Sequence, residues 1–485
     1  MDKIQYTPVI GLEVHAQLLL ASKMFAPEAA AYGALPNTLI STTSLAHPGT
    51  LPTINKGAID CAIKLGIVCH STITSLNYFA RKNYFYPDLP KGYQITQDKT
   101  PICQGGYITL TTASGEEKVI PLQRMHLEED AGKSIHDMDA TDTLLDFNRA
   151  GVALIEIVTY PDIVSGKEAY AFLTELRRIV RYLEICDGNM EEGSLRCDAN
   201  ISVMPLGTDI LGKRVEIKNM NSIKNVQLAI EYEITRQIEV LEAGEEVIME
   251  TRMYDAAKGI TISQRTKEGS IDYRYFVEPD LPPIVITEAW IEAIKKDLPL
   301  LPRAYKLKFM EVYQLSEYVA SVLTDSKEVA LYFEALCELT TDYTAAANWL
   351  IGPVKGYMNE HNVSLKDFPL KPDQLIALIR LVADETISFS TATQKIFPAL
   401  VASPDRTPLA LVKELNLLQE KDIDILETLI KEVIVAYPDK VMGYRNGQTG
   451  ILNMLMGEVM KRSKGKASPN LVSELLKKYC NDVIT

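Results

Sequence analysis

Cysteine is sparse and never forms a C-x-x-C pair: Cys61, Cys69, Cys103, Cys186, Cys197, Cys337 and Cys480 are scattered over 485 residues. Such spacing spells neither a zinc knuckle nor a disulfide framework, and it fits a reduced, cytoplasmic chain. No apolar run reaches the roughly 18 residues that a membrane span requires. The first apolar stretch, VIGLEVHAQLLLA, carries Glu13 and His15 in mid-run, which is not how a secretory leader reads. Internal repeats and low-complexity tracts are absent too. Positive charge is also in short supply. Lys and Arg number 50 against 64 Asp and Glu, a net charge of −14. That balance excludes a generally cationic nucleic-acid coat, though not a local basic patch.

A standard nucleotide loop is missing as well. The AGKS at 131–134 invites a P-loop reading, but the glycine this requires at position 127 is Leu127. No G-x-G-x-x-G follows a strand. Any phosphate site must therefore be built from scattered groups.

What is present is an ordinary globular balance, 47% apolar and 24% charged, over a length that suggests about three domains. Strand-like alternation mixed with a few amphipathic helices fills the first 290 or so residues, and helical periodicity follows. Pro282, Pro283, Pro299 and Pro302 mark the change, and a second break falls at 403–408. The expected fold class is α+β, with a mixed or antiparallel sheet domain (1–293) followed by two small all-helical domains (294–405 and 406–485).

Alternation predicts a strand over 8–18, with Ile10, Leu12, Val14, Ala16 and Leu18 on one face and Glu13, His15 and Gln17 on the other. SLRCDANISV sets Leu195, Cys197, Ala199 and Ile201 against Arg196, Asp198 and Asn200, and RVEIK repeats the pattern. Glu156 interrupts the apolar run ALIEIVTYP. Several strands thus present one oily and one ionisable face. Ser165 and Glu168 form a capping box ahead of a helix whose apolar stripe runs from Phe172 to Leu183. A second helix is predicted over 222–241, with Ile223, Val226, Ile230, Ile234 and Leu241 inward.

The acidic groups carry the functional signal. Glu13 and His15, at i and i+2, can reach one divalent cation. Glu128 and Glu129, Glu191 and Glu192, Glu156 and Asp198 add oxygen donors of the kind Mg²⁺ or Mn²⁺ takes. Solvated surface carboxylates are the competing account. Alternation leaves the choice between Glu128 and Glu129 open, because His126 shares parity with Glu128 but the pattern breaks there. Arg81, Lys82, Lys91 and Arg149 are the candidate phosphate-handling cations. Tyr84, Phe85, Tyr86 and Tyr93 beside them either fill a core, as base rates of burial favour, or stack a base. Between 440 and 480 stand eight cations (Lys440, Arg445, Lys461, Arg462, Lys464, Lys466, Lys477 and Lys478) against Glu458 and Glu474. That stretch reads either as a solvated helical face or as a phosphate-backbone footprint.

VIGLEVHAQL, KNYFYPDLPKGYQITQ, HLEEDAGKS, DFNRAGVALIEIVT, MEEGSLRCDANIS, EIKNMNSIKNVQLAI and the segment from TRMYDAAKGI to FVEPDLPP resemble, in order, the B subunits of aspartyl/glutamyl-tRNA amidotransferases. The terminal NMLMGEVMKRSKGKASPNLVSELLKK is similar to that family's tail. The resemblance implies a cradle-like α+β domain, a helical domain and a tail that grips tRNA. It implies use of ATP and Mg²⁺ to phosphorylate the side-chain carboxylate of Glu-tRNA(Gln) or Asp-tRNA(Asn). Ammonia from the amidase, the A subunit, then displaces phosphate, and a small C subunit completes a heterotrimer. On that resemblance Glu13, His15 and Glu129 are the first metal candidates, with Glu128, Glu156, Glu192 and Asp198 behind them. Lys82 and Lys91 would handle phosphate or ammonia. Some family members carry a four-cysteine zinc module here. This chain has no cysteine between Ser22 and Asn55, so no zinc is expected.

Overall fold

The computed structural model describes residues 5–112, 114–136, 138–139, 141–266, 272–419, 423–463 and 466–482. Two compact units divide at Pro302/Arg303. In the first, the strands are β1 (Tyr6–Gln17), β2 (Thr72–Ile73), β3 (Leu76–Asn77), β4 (Ala80–Asn83), β5 (Tyr93–Thr96), β6 (Cys103–Gln104), β7 (Tyr107–Thr111), β8 (Glu117–Glu129), β9 (Lys133–Ile135), β10 (Leu144–Asp146), β11 (Ala153–Thr159), β12 (Leu195–Pro205), β13 (Val215–Lys218), β14 (Glu250–Asp255), β15 (Ile260–Thr266), β16 (Phe276–Val277) and β17 (Ile284–Val285). The main sheet runs β15-β14-β13-β12-β1-β11-β8-β6-β2, with β7 also on β8. Its pairs are antiparallel except β13 with β14, so the α+β, mixed-sheet expectation holds.

Period two in β1 is realised as drawn from the sequence: Ile10, Leu12, Val14 and Ala16 are fully buried on one face. That face is covered by three helices: α1 (Lys56–Val68), α2 (Gly166–Tyr182) and α3 (Ile223–Glu242). Each starts on a side-chain cap. Asn55 accepts from the Gly57 N–H, Ser165 from Glu168 and Ser222 from Asn225. Helices on one side leave the ionisable side of β12, β1, β11 and β8 to other partners. Over part of it lies the small sheet β16-β4-β5, which carries Arg81 and Lys82.

Helix α3 departs from its predicted stripe. Ile234 and Leu241 are only partly buried, while Glu233 and Gln237 are wholly buried. The reason is a charge network: Arg236 and Arg252 pair with Glu233, Thr261 donates to it at 2.9 Å, and Arg252 and Ser263 bond Glu250. Burial alone raises the Glu250 carboxyl, but the Ser263 and Arg252 hydrogen bonds outweigh it and hold it below 4.5. A depressed folded-state pKa gives stability that is present above the ordinary carboxylate range and is lost as pH falls through the folded value. Glu250→Gln should therefore flatten the melting-temperature loss between neutral pH and about pH 3. An acid-side slope equal to that of the wild type would contradict this.

In the second unit, helix Pro408–Glu414 packs on helix Pro372–Ala383. A separate apolar core, Leu426, Ile430, Val433, Leu455, Val459, Val472 and Leu476, unites the last helices. Of the predicted basic stretch, Lys464 lies outside the described residues. No described helix is long and apolar enough to cross a membrane. All seven cysteines are buried free thiols, and burial pushes Cys61 up to about 11 and Cys186 up to about 12.

Candidate metal and phosphate site

Strand register builds the site. His15 on β1 lies opposite Glu156 on β11 and Arg196 on β12, and Glu156 lies opposite His126 on β8. Directly paired residues share a face, so Arg196, His15, Glu156 and His126 form one row across four strands. Glu128 follows His126 at i+2 on the same face. His15 Nε2 is 3.3 Å from Glu156 and 3.8 Å from Glu128, and His126 Nε2 is 3.4 Å and 3.7 Å from the same two carboxylates. Among the described residues, His15, Glu128 and Glu156 are the set of three whose ligand atoms all lie within 4.8 Å of one another.

Two buried carboxylates this close repel unless positive charge joins them. Burial alone would raise Glu156, but His126 and His15 hold it well below the carboxylate range. Burial opposes protonation of His15, yet Glu156 and Glu128 raise it above its ordinary value of 6.5. Lys82 follows the same pattern: burial lowers it, but Glu128 and the nearby tyrosine and Glu156 charges leave it above 10.5. His126 Nδ1 is buried with no hydrogen-bond partner, an orphaned polar atom beside the cluster. Two carboxylates and an imidazole whose ligand atoms all lie within 4.8 Å of one another are a donor set that fits an oxygen-preferring divalent ion.

The two glutamates left open by alternation separate here. Glu128 faces the cluster and accepts from Thr96 Oγ1 at 3.1 Å. Glu129 faces away from it, paired with Lys91 and accepting from the Ile95 N–H at 2.9 Å. Glu13 sits next along β1, opposite Asp198, and accepts from Asn200 at 2.9 Å. Burial first, then Glu156, Asp198 and Glu216, raise its carboxyl. Asp198 is paired with Lys218, which also reaches Glu216 at 3.1 Å. Glu192 is exposed on the loop before β12, apart from the cluster.

The candidate cations also sort. Lys82 lies 5.0 Å from the Tyr273 ring. Arg81 is committed elsewhere, forked onto Glu278 at 2.7 and 2.8 Å and reaching Asp280 at 3.2 Å. Arg149 donates to the carbonyls of Ala131 and Gly132, bracing that turn. The aromatic cluster divides: Phe85 is 87% and Tyr86 56% exposed, Tyr84 is half-buried, and Tyr93 packs against the core as the burial account expects. Tyr84, Tyr273 and Tyr275 stack edge to face in series. Sequence reasoning passed over His126 and Arg196 as site residues. His126 stands two before Glu128, the same i, i+2 spacing that singled out Glu13 and His15.

The chain is a sheet unit with one charged face backed by helices, followed in sequence by a helical unit. The GatB/GatE catalytic domain model matches residues 8–292, and the GatB domain model matches 331–480. The chain belongs to the family of tRNA-dependent amidotransferase B subunits, components of a ligase. It is 46% identical over 482 residues to the aspartyl/glutamyl-tRNA(Asn/Gln) amidotransferase B subunit of Synechococcus sp. (strain JA-3-3Ab), covering 98% of each chain. It is 47% identical over 477 residues to that of Nitrosococcus oceani, covering 98% of this chain and 99% of the relative. The Thermodesulfovibrio yellowstonii counterpart is 46% identical over 479 residues, covering 99% of this chain and 100% of the relative.

Proposed function

We propose that this chain, assembled in the cytoplasm with an amidase (the A subunit) and a small C subunit, converts Glu-tRNA(Gln), Asp-tRNA(Asn) or both to their amide forms. The side-chain carboxylate oxygen takes the terminal phosphoryl group of ATP, and ADP departs. Ammonia from the amidase then adds to the acyl carbon, phosphate leaves with the bonding electrons, and the added nitrogen sheds a proton.

The observation that carries this reading is the convergence of His15, Glu128 and Glu156 beside Lys82. These three side chains would hold magnesium, which when bound neutralises charge on phosphate oxygens. Lys82 keeps a positive charge at the edge of the cluster without reorganisation. His126 orients Glu156. Lys91 and Glu129, paired at the end of β8 on the side away from the cluster, act one step removed from it, with Glu129 taking the proton that the added nitrogen sheds. Glu13 and Asp198 extend the acidic row, and Glu192, on the exposed loop before β12, is the most remote of the candidate donors. Arg81 and Arg149 act by positioning: Arg81 fixes the strand that bears Lys82, and Arg149 fixes the turn after β8. No zinc is part of this proposal. The helical region divides into a body (294–405) and a tail (406–485) whose cations neutralise tRNA phosphates.

The test supplies the complex with Mg-ATP, ammonium chloride in place of glutamine, and each misacylated tRNA, then assays the amino acid recovered. Ammonium bypasses the amidase, so turnover reports this chain. Conversion that needs ATP and falls on the order of a hundredfold in Glu13→Gln is the expected result. No conversion with either tRNA, despite intact binding, would leave the chain a scaffold.

A further inference from the structure

Strand β8 bears His126 and Glu128 on the face of the cluster and buries Leu127 between them on the other. Along one edge, β11 pairs with it through the whole of this stretch. On the opposite edge, β6 pairs only as far as Cys103 with Met125. Continued, that register would set Pro101 against Leu127, and a proline has no N–H to give to a ladder. The Pro101 carbonyl is engaged elsewhere, accepting from Thr74 Oγ1 at 2.6 Å. The edge of β8 beside the two site residues is thus left without a strand, where an unpaired buried N–H is costly.

Side chains take the place of that strand. The buried Gln97 Oε1 accepts from the Leu127 N–H at 3.0 Å and from the Ile102 N–H at 3.1 Å, bridging the gap from the last rung. Gln97 Nε2 donates to Oδ1 of the fully buried Asn77 at 3.4 Å. Asn77 donates in turn to the Thr74 carbonyl at 2.6 Å, which fixes the end of the Gln97 amide that meets β8. Two residues further along the same edge, Gln94 donates to the Glu129 carbonyl at 2.7 Å. Thr96 Oγ1 donates to Glu128 Oε2 at 3.1 Å, while Oε1 lies 3.8 Å from His15. With the Ile95 N–H on Glu129, four bonds from residues 94–97 converge on residues 127–129.

Resting on the metal reading above, we propose that Gln97 and Thr96 are positioning residues for the reaction. Gln97 fixes the peptide that spaces His126 from Glu128, and Thr96 fixes the Glu128 carboxylate itself. Ligand atoms must be held within about 0.5 Å of their productive places, so hydrogen bonds one step behind them carry over into affinity and rate.

Gln97→Met and Thr96→Val keep the volume and remove the polar atom. In the assembled complex both should weaken Mn²⁺ binding, followed by electron paramagnetic resonance, on the order of tenfold. The kcat of ammonium-driven amidation should fall by a like factor with the KM for misacylated tRNA unchanged. Thr96→Ser keeps the hydroxyl and should bind Mn²⁺ as the wild type does. In the metal-free complex, hydrogen exchange at Leu127 should quicken in Gln97→Met. A Gln97→Met complex that melts lower yet keeps its Mn²⁺ affinity and kcat would overturn the assignment, because the amide would then serve the fold alone. Should that variant not fold, the Thr96 variants decide, and equal Mn²⁺ affinity and kcat in Thr96→Val and Thr96→Ser overturns it. A wild type that binds no Mn²⁺ sinks the metal reading alone, and the exchange rate with the kcat split still decides the positioning.

Discussion

Glu156→Ala is expected to reduce ammonium-driven amidation by on the order of a thousandfold, with tRNA binding close to wild type. Glu156 is the carboxylate nearer to both imidazoles, at 3.3 Å from His15 and 3.4 Å from His126. It sits in the middle of the row, on a strand whose seven residues are all buried. Removing it takes away one of three candidate metal ligands and the group that holds both histidines in place. Stability should fall as well, because a carboxylate held below its ordinary range contributes stability that the substitution loses, offset in part by relief of repulsion with Glu128. Glu156→Gln tests the charge with the shape kept and should fall nearly as far. A direct readout is a Mn²⁺ titration followed by electron paramagnetic resonance, in which the bound signal should disappear from both variants. Either variant turning over within a few-fold of wild type, with Mn²⁺ still bound, would take the cluster out of the chemistry.

The parts of this site that were legible in the sequence are those that alternation encodes locally. Glu13 with His15, and Asp198 with Arg196, read as one face of a strand because Leu12, Val14, Cys197 and Ala199 fill the other. Alternation fails at Glu128 and Glu129 for a physical reason: the last five residues of β8 are all buried. Helix α1 covers one face, and β5 closes over the end of the strand, where Thr96 bonds Glu128 and the Ile95 N–H bonds Glu129. A strand covered on both sides has no wet face to read. Register was out of reach as well, since Glu13 meets Asp198 only through pairing of strands far apart in the chain. The same distance hid the fate of Arg81, whose partner Glu278 lies 197 residues away. Helix α3 misled its apolar stripe because a buried Glu233 needs Arg236, Arg252 and Thr261 around it, and only one of those is on the helix.

Lys23→Ala should destabilise the first unit by about 3–5 kcal/mol, the cost of stranding a buried partner charge. In the sequence Lys23 looks like any surface lysine, yet its side chain is wholly buried. Its ammonium donates to the Leu39 carbonyl at 2.8 Å, lies 3.5 Å from the Phe147 carbonyl and pairs with Glu28 at 3.3 Å. Those contacts tie the irregular segment between β1 and α1 to the turn that leads into β11, where Met24 N–H also meets the Gly151 carbonyl at 2.8 Å. Residues 30–34 of that segment line a cavity of about 880 Å³ together with Arg149 and Arg196, so the lysine fixes one wall of it. Burial pulls its pKa below 10.5. Holding the proton therefore costs stability at neutral pH, and that cost is relieved, not increased, as pH rises toward the folded value. The pair is not a net gain over apolar side chains; what is expensive is breaking it. Lys23→Met alone should then melt several degrees below wild type, whereas Lys23→Met with Glu28→Leu should recover part of the loss, a coupling read from a double-mutant cycle by thermal denaturation. Additive losses in the double variant would show that Lys23 and Glu28 do not act together, and that the segment is held by its backbone bonds alone.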